Sequence, residues 1–427
     1  MSHDANKFSG TEMTSFNGKT NSIITNNYAS VFFFLLYTMS MLDINVANEI
    51  VPTLYIFGDS TFDVGTNNYL NSKTKANSPY YGIDFHNSFP TGRYSNGLNI
   101  ADQIARRLGY KKSPPSFLDL ENLQYSFKHN IMLGVNFASG GSGILRYTGY
   151  KKWGEVICLE KQVQQFALVS GNITKILGPT KAASFVSKAL FLISIGSSDI
   201  FDYDRNESGV FHLGKEENLA LLQLNYYTYI RKLYELGARK FGILSVPPIG
   251  CYPAVTSING GNCVKPLNDF AVAFYKATQT LLQKLSLEFE EFEYSLGNTY
   301  AMFKAMLKDP LAFGLNDTKS ACCGIGKLNG EGPCLKTLKQ NHCGFGMLNE
   351  DGLLLKSLND KLWGIRKFYK EEPCLKTLNT SLCVNHDDHL FWDWLHITER
   401  ASEVIAKMVF EGGAEFVFPK NLSHLVS

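Results

Sequence analysis

The chain has 427 residues, of which 44% are hydrophobic and 13% aromatic, so it is long enough to bury one large core or two smaller ones. Its 41 Lys and Arg residues nearly balance its 39 Asp and Glu residues, and the formal net charge is +2. This charge and the lack of a long basic stripe argue against a nucleic-acid-binding protein, and they indicate no acidic partner. The function must therefore be inferred from local motifs.

The first fifty residues differ in character from the rest. A polar stretch without hydrophobic periodicity is followed by about a dozen apolar residues, from Val31 to Leu42. This run is shorter than the roughly 20 residues needed to cross a bilayer, but it is typical of a signal peptide; a buried core segment is the alternative. Because the polar lead is long for a signal, Met13 is a second candidate start. We expect a polar leader and signal peptide over 1–49, one domain over 50–427 and no stable membrane span.

Two further patterns agree with secretion. Asn-X-Ser/Thr sequons occur at five positions: Asn172, Asn206, Asn316, Asn379 and Asn421. Nine cysteines lie between Cys158 and Cys383, and in an oxidising compartment they would form four disulfides and leave one thiol. Zinc binding is the alternative, but no C-x2-C pair is matched by a second pair. We expect Cys251 and Cys263 to close a short loop as a disulfide.

The first predicted element of the domain is a buried strand at 53–57, which is short, apolar and bounded by Pro52 and Gly58. A polar turn sequence with Ser60 follows directly. A serine in such a turn usually satisfies local backbone donors. Ser60 is therefore either a turn cap or a nucleophile held at the end of a strand.

Helices and buried strands alternate through the rest of the domain. The predicted elements are a helix over Leu98–Leu108 that Gly109 ends, a strand at 189–196, a helix that Gly237 ends, a strand at Phe241–Val246, and an amphipathic helix from Ala401 that ends at Gly412. Such alternation indicates a parallel sheet covered by helices on both faces. Ligands of these sheets gather at the carboxyl ends of the strands, which is where Ser60 lies.

Residues 323–382 contain three copies of a 20-residue pattern, in which Gly324, Gly344 and Gly364 align. A solenoid is possible at this period. Three copies without a clear strand signature favour a duplicated surface loop instead. An exon fragment repeated by error in gene prediction would give the same pattern.

Asp393 and His396 are three residues apart, just before the last predicted helix. This spacing brings both side chains to one side of a turn, so that Asp393 could accept from Nδ1–H of His396 while Nε2 takes a hydroxyl proton. A helix-capping Asp beside a surface His is the alternative. A metal site is a third interpretation, but the Trp and Leu between the polar residues favour packing, and we expect no metal; these polar residues are His386, Asp387, Asp388, His389, Asp393 and His396.

A serine hydrolase also needs donors for the oxyanion of its tetrahedral intermediate. Gly140 and Gly141 lie in a glycine-rich stretch where the backbone could approach a ligand closely. A tight turn or a phosphate-binding loop is the alternative there. Ser198 belongs to a group of small polar residues at the end of the strand predicted at 189–196.

Taken together and in this order, the motifs resemble the plant-type GDSL esterase/lipases of the SGNH hydrolase superfamily. The resemblance runs from about Val51 to Asn421 and rests on FGDSTFDVGTNNYL, YGIDFHNSFPTGRYSNGLNIAD, GVNFASGGSGIL, SVPPIGCYP, ACCG and FWDWLHITE. The G-x-S-x-G elbow of ordinary α/β-hydrolases is absent at Ser60. The resemblance implies a three-layer α/β/α sandwich with a parallel sheet and flavodoxin-like SGNH topology. It also implies an enzyme of the apoplast or cell wall that hydrolyses small-molecule or lipid acyl esters through an acyl-serine, without a cofactor.

The resemblance also implies a role for each matching residue. Ser60 would be the nucleophile, and its backbone N–H would be one oxyanion donor. Gly141 would be a second donor, with Gly140 as the alternative. His396 would be the base, oriented by Asp393.

Two residues depart from the family's pattern. Ser198 stands where the family has an oxyanion-binding Asn, and its side chain is shorter than that amide. Ile397 stands where the family usually has Pro, and the repeats just upstream are absent from the usual pattern. The alternative function is therefore a catalytically impaired member that binds a glycan or lipid.

Overall fold

A six-stranded sheet lies at the centre of the structure, a computed structural model that describes residues 51–123, 127–205, 213–334 and 380–427. The predicted leader lies outside the described residues. The remaining described strands form two separate two-stranded ladders. The strands are β1 (Leu54–Gly58), β2 (Gly134–Asn136), β3 (Leu190–Ser194), β4 (Lys240–Leu244), β5 (Glu293–Gly297), β6 (Asp317–Ala321), β7 (Cys323–Gly324), β8 (Ser381–Leu382), β9 (His389–Phe391) and β10 (Val417–Phe418).

The central sheet has the strand order β10-β5-β4-β3-β1-β2. Its first five strands in sequence are parallel, and their order, 2-1-3-4-5, is that of the flavodoxin-like topology. This confirms the predicted parallel sheet for those five strands. The prediction of a parallel sheet is wrong for the edge strand β10, which pairs antiparallel with β5. Two residues are too few for a hydrophobic pattern to indicate a strand there.

Helices cover both faces of this sheet. On one face Phe166 packs against Tyr55 and Phe191, whose rings lie 4.9 and 5.0 Å from its own. On the other face Leu422 lies against Gly242. Because successive strand residues point to opposite faces, these contacts define the three layers of an α/β/α sandwich, as predicted.

The described helices vary in length from one turn to nearly seven. None of them is long and apolar enough to span a membrane. They are α1 (Ile100–Arg107), α2 (Phe117–Asn122), α3 (Phe127–Leu133), α4 (Tyr150–Trp153), α5 (Leu159–Leu177), α6 (Pro179–Ser187), α7 (Ser197–Arg205), α8 (Lys215–Glu235), α9 (Pro253–Thr256), α10 (Lys265–Glu288), α11 (Thr299–Lys308), α12 (Glu399–Glu411) and α13 (Leu422–Val426). Short 3-10 turns lie at Thr66–Tyr69, His86–Ser88, Ile249–Cys251, Pro310–Phe313, Lys327–Asn329 and His386–Asp388.

The predicted elements are present, and the ends that the sequence predicted are shifted by one or two residues. The helix predicted from Leu98 begins at Ile100 because Asn99 caps it. The Asn99 side chain accepts from the N–H of Asp102 at 3.1 Å, and the Asp102 carboxylate accepts from the N–H of Asn99 at 3.0 Å. This reciprocal cap fixes the start of the helix more closely than its apolar spacing does.

The carboxyl end of β1 lies unusually close to β3. Gly58 has a φ of +154°, and a β-carbon there would lie 2.3 Å from the carbonyl oxygen of Ser194. Only glycine fits this approach. Asp59 then donates its N–H to the same carbonyl at 3.1 Å, and the chain turns away through Ser60. Ser60 therefore lies at the carboxyl end of a buried parallel strand, as predicted.

Three disulfides join cysteines in the described part of the chain: Cys251–Cys263, Cys322–Cys383 and Cys323–Cys334. The first of them confirms the predicted pair, and Cys158 is a buried free thiol. β7 and β8 pair antiparallel, so the two ends of 323–382 lie side by side. Most of the repeats, with Cys343 and Cys374, lie outside the described residues. The duplicated loop and a fourth disulfide stay predictions.

Candidate active site

Three residues that the sequence singled out meet at the carboxyl end of β1. His396 Nε2 lies 2.9 Å from Ser60 Oγ, although the two residues are 336 positions apart. His396 Nδ1 lies 2.8 Å from Asp393 Oδ1 and 2.9 Å from Oδ2. This chain of contacts can pass a proton from the hydroxyl to the imidazole, with the carboxylate orienting the ring.

The Asp393 carboxylate is fully buried and surrounded by donors. Its Oδ1 accepts from the backbone N–H groups of Leu395 and His396, each at 2.8 Å, and its Oδ2 accepts from the Tyr81 hydroxyl at 2.6 Å. Burial raises the pKa of Asp393, but the nearby His396 charge and these hydrogen bonds outweigh it, so the pKa lies below its ordinary value. The carboxylate is therefore ionised near neutral pH.

The loop that carries His396 is closed by backbone hydrogen bonds. Trp392 donates its N–H to the carbonyl of His396 at 2.8 Å, and Thr398 donates to the carbonyl of Leu390 at 3.2 Å. Thr398 also caps α12 through its hydroxyl. None of these bonds uses the N–H of Ile397, so the replacement of the family's Pro there leaves the loop's hydrogen bonds intact.

The two candidate glycines differ in the availability of their N–H groups. Gly140 donates its N–H to Asp63 Oδ2 at 2.8 Å. Gly141 has a φ of +76° and lines the same cavity as Ser60, and its N–H has no acceptor among the residues that the structure describes. The geometry therefore favours Gly141 as a donor toward the cavity.

Ser198, at the departure from the family's pattern, also faces this cavity. It lies in the first turn of α7 and is half-buried, and its hydroxyl has no partner within the described ranges. The N–H of Ser60 likewise has no acceptor there. Three groups that sequence reasoning proposed as oxyanion donors, on Ser60, Gly141 and Ser198, therefore line one cavity of about 520 Å³.

Two buried carboxylates hold the loops around this cavity. Asp63 Oδ1 accepts from the N–H groups of Gly65 and Thr66 at 2.8 and 2.7 Å, in addition to the Oδ2 bond from Gly140. Asp199 accepts from the loop that follows Gly141, through the N–H groups of Ile144 and Leu145 and the Thr148 hydroxyl. Burial raises the pKa of Asp63 to about 6 and that of Asp199 to about 7.

Sequence reasoning gave no role to Tyr81 or Asp63. Tyr81 lies 312 positions from the carboxylate that it contacts, and a tyrosine in an aromatic stretch carries no signal of its own. Asp63 lies in the same motif, three residues after Ser60. An Asp in a turn commonly accepts hydrogen bonds from nearby backbone N–H groups, and this was the signal that could have identified it.

The His and Asp residues that were considered as metal ligands form separate pairs and do not converge on one point. His386 Nδ1 lies 2.9 Å from both oxygens of Asp84, and His389 Nδ1 lies 2.6 Å from Asp388 Oδ1. In the described part of the chain, no group of three or more His, Cys, Asp or Glu side chains is arranged to hold a metal ion.

Comparisons with known proteins agree with the motifs. The profile of a family described as GDSL-like Lipase/Acylhydrolase matches residues 54–409. The chain is 33% identical to GDSL esterase/lipase At5g55050 of Arabidopsis thaliana over 388 residues, which cover 88% of this chain and 90% of that protein. GDSL esterase/lipase LTL1 of the same plant is 30% identical over 381 residues, 86% of this chain and 89% of its own. GDSL esterase/lipase APG is 31% identical over 383 residues, 89% and 95% of the two chains.

Proposed function

The chain belongs to the GDSL lipase/acylhydrolase family and is a carboxylic ester hydrolase, and on this premise we propose that it works through an acyl-enzyme on Ser60. The observation that carries the proposal is the contact of Ser60 Oγ with His396, whose other ring nitrogen is held by the ionised Asp393. A cavity of about 520 Å³ lies at this contact.

In the proposed first half-reaction, Ser60 Oγ attacks the ester carbonyl carbon while His396 Nε2 takes the hydroxyl proton. The carbonyl oxygen becomes an oxyanion, which the N–H groups of Ser60 and Gly141 and the Ser198 hydroxyl stabilise. The tetrahedral intermediate collapses, the C–O bond to the alcohol breaks, and His396 gives its proton to the leaving alcohol.

In the second half-reaction, water attacks the acyl-serine carbonyl and His396 takes a proton from that water. Collapse releases the carboxylic acid and returns the proton to Ser60 Oγ. If a sugar or hydroxy-fatty acid takes the place of water, the same steps give acyl transfer. Protein groups and water supply and accept every proton in these two half-reactions, so the proposal includes no cofactor.

We also propose that the enzyme is secreted and acts in the apoplast or cell wall. Three disulfides in the described part of the chain support an oxidising compartment. The proposed signal peptide lies among residues that the structure does not describe. Its removal would be detected as a mature N terminus near residue 50 in the secreted protein.

Turnover of a short-chain 4-nitrophenyl ester tests the catalytic proposal. We expect the wild-type protein to hydrolyse it and Ser60→Ala to lose at least about 10³-fold in kcat, because the nucleophile is gone. Ser184→Ala, which removes an exposed hydroxyl on α6, is the matched control and retains activity. A wild-type protein without turnover that still binds a glycan or lipid would support the impaired alternative instead.

A further inference from the structure

A buried tyrosine packs its ring against the proposed base. The centre of the Tyr94 ring lies 4.7 Å from that of the His396 imidazole, and the two ring planes are inclined by 36°. Tyr94 is only 5% exposed, and it lines the cavity that contains Ser60. The two rings are therefore close enough for offset stacking, in which each ring restrains the other.

This contact restrains a motion of His396 that its hydrogen bonds leave free. Asp393 holds Nδ1 at 2.8 Å, and Ser60 Oγ lies 2.9 Å from Nε2. Both partners lie near the line through the two ring nitrogens, so the imidazole can tilt about that line while both distances stay short. A ring packed against the imidazole opposes the tilt. Tyr94 therefore supplies a third restraint on the base.

The Tyr94 ring is itself held at its hydroxyl end. The hydroxyl donates to the carbonyl of Thr74 at 2.8 Å, and it accepts from Thr74 Oγ1 at 3.1 Å and from Asn67 Nδ2 at 3.3 Å. These bonds use the donor and both lone pairs of the hydroxyl. Gly140 lies against the same end, since a β-carbon there would be 2.2 Å from the hydroxyl oxygen. The phenol is therefore fixed beside the loop that leads to Gly141.

A second ring contact joins Tyr94 to the support of the carboxylate. The rings of Tyr94 and Tyr81 meet edge to face, with their centres 6.3 Å apart and their planes at 73°. The Tyr81 hydroxyl donates to Asp393 Oδ2 at 2.6 Å. Tyr94 thus contacts three parts of the proposed reaction centre: the imidazole, the tyrosine that supports the carboxylate, and the loop of the proposed oxyanion donor.

We propose that Tyr94 is a positioning residue: its ring holds the His396 imidazole in line with Ser60 Oγ and stabilises the imidazolium that forms when the hydroxyl proton is taken. The inference rests on the proposed ester hydrolysis at Ser60. The quadrupole of an aromatic ring attracts a cation, whereas a neutral imidazole gains much less from it. The stabilisation therefore acts on the transition state more than on the bound substrate.

A residue that acts through His396 affects both proposed half-reactions alike. The imidazole takes a proton from Ser60 in the first and from water in the second. Loss of the restraint therefore slows acylation and deacylation together. KM depends on substrate affinity and on the ratio of these two rates, so it stays nearly constant while kcat falls. A residue that only shapes the substrate pocket would change KM.

The test uses the 4-nitrophenyl ester and two substitutions of Tyr94. Tyr94→Leu removes the ring, whereas Tyr94→Phe keeps the ring and removes the hydroxyl. Tyr226→Leu is the matched control, because Tyr226 is a tyrosine of α8 that is 1% exposed and does not line the cavity. The value of kcat is expressed per chain that a fluorophosphonate probe labels at end point, so that unfolded protein is not counted.

We expect Tyr94→Leu to lower kcat about 10- to 30-fold and to leave KM within about twofold, as the loss of a ring contact with a desolvated cation would do. Tyr94→Phe should retain kcat within about threefold, because the ring contact remains. Tyr226→Leu loses stability as a buried ring is removed, but it keeps the wild-type kcat and KM per labelled chain.

A third substitution separates the charge of the ring from its shape, and it does not depend on the folding of Tyr94→Leu. Tyr94→pentafluorophenylalanine keeps an aromatic ring at this position but reverses the charge distribution of its face. We expect kcat to fall about three- to tenfold relative to Tyr94→Phe, with KM unchanged, because the imidazolium loses its attraction to the ring. Equal kcat in these two variants would overturn the inference.

Equal losses of kcat in Tyr94→Leu and Tyr94→Phe would also overturn it, because the hydroxyl and not the ring would then matter. An unchanged kcat in Tyr94→Leu, or a loss that appears mainly in KM, would contradict it too. These results leave the proposed hydrolysis standing, since the wild type still turns over the ester. A wild-type protein with neither turnover nor labelling would contradict the proposed function itself.

Discussion

Ser198 is the residue at which the proposed oxyanion site departs from the family's pattern. Its hydroxyl lines the cavity but is shorter than the Asn side chain found at that position in the family. We predict that Ser198→Asn raises kcat about tenfold, roughly 1.4 kcal/mol, with little change in KM. The donor acts on charge that develops only in the transition state, so its gain appears in kcat.

Steady-state kinetics of Ser198→Asn and Ser198→Ala check this prediction together. If Ser198→Asn brings no gain and Ser198→Ala no loss, Ser198 contributes nothing to oxyanion binding. The N–H groups of Ser60 and Gly141 would then be the complete donor set.

Tyr81 stabilises the ionised form of Asp393 through its buried hydrogen bond of 2.6 Å. We predict that Tyr81→Phe lowers the free energy of unfolding at neutral pH by about 1–3 kcal/mol, because a charged buried acceptor loses a donor. The pKa of Asp393 lies below its ordinary value, so the stability that this carboxylate contributes is present at neutral pH and is lost as the pH falls through its folded pKa. The difference between wild type and variant should therefore shrink in acid.

Denaturant unfolding of wild type and Tyr81→Phe across pH measures this difference in stability. The variant should also have a lower kcat/KM, because its His396 imidazole is less well oriented. Tyr80→Phe is the matched control: its hydroxyl has no hydrogen bond within the described residues, so both quantities stay near wild type. A difference that is constant from neutral to acid pH would show that Tyr81 acts by packing alone.

The sequence contained enough to predict the three residues of the proposed reaction centre, but not the residues that support them. Ser60 and the pair Asp393 and His396 lie in recognisable motifs, and the fold brings them together as expected. The choice between Gly140 and Gly141 as oxyanion donor depended on Asp63, whose carboxylate accepts a hydrogen bond from the N–H of Gly140. Such long-range hydrogen bonds follow from packing, which residue spacing does not encode.

The loop between Cys251 and Cys263 connects the sheet to the loop that carries His396. Within it, Ala254 donates its N–H to the carbonyl of Trp394 at 2.9 Å. We predict that the double substitution of both cysteines by Ala lowers the free energy of unfolding by about 3 kcal/mol, the value expected for a closed loop of this length. It should also lower kcat, since the contact beside His396 loosens.

Thermal or denaturant unfolding measures the stability change, and non-reducing peptide mapping establishes the bond in the wild type. Cys158→Ala is the control, because that thiol is unpaired in the described structure. Free thiols at both positions of the wild type would contradict the predicted bond and weaken the proposal of secretion.

Elements buried on both faces of the sheet were the most predictable. The strands at Leu54–Gly58 and Leu190–Ser194 are continuous apolar runs because helices cover both of their faces. Helix ends were less predictable, as the cap at Asn99 shows, because they depend on side-chain hydrogen bonds. Strands of two residues, such as Val417–Phe418, leave no periodic pattern and were missed.

At the scale of the whole molecule, net charge was a poor guide to the cavity. The formal charge of +2 is close to neutral, whereas the lining of the cavity that contains Ser60 includes Lys73, Lys75, Lys152 and Arg205. Composition averages over the chain, whereas a substrate meets only the charges that folding places around Ser60. Local charge therefore has to be taken from the structure.

Labelling by a fluorophosphonate probe tests the central claim, that Ser60 is the nucleophile activated by His396. The probe forms a covalent adduct only with a serine hydroxyl that an adjacent base activates. We predict one adduct per chain, mapped to Ser60 by mass spectrometry, lost in Ser60→Ala and strongly slowed in His396→Ala. Labelling that persists undiminished in Ser60→Ala, or a wild-type protein that resists the probe, would contradict the account.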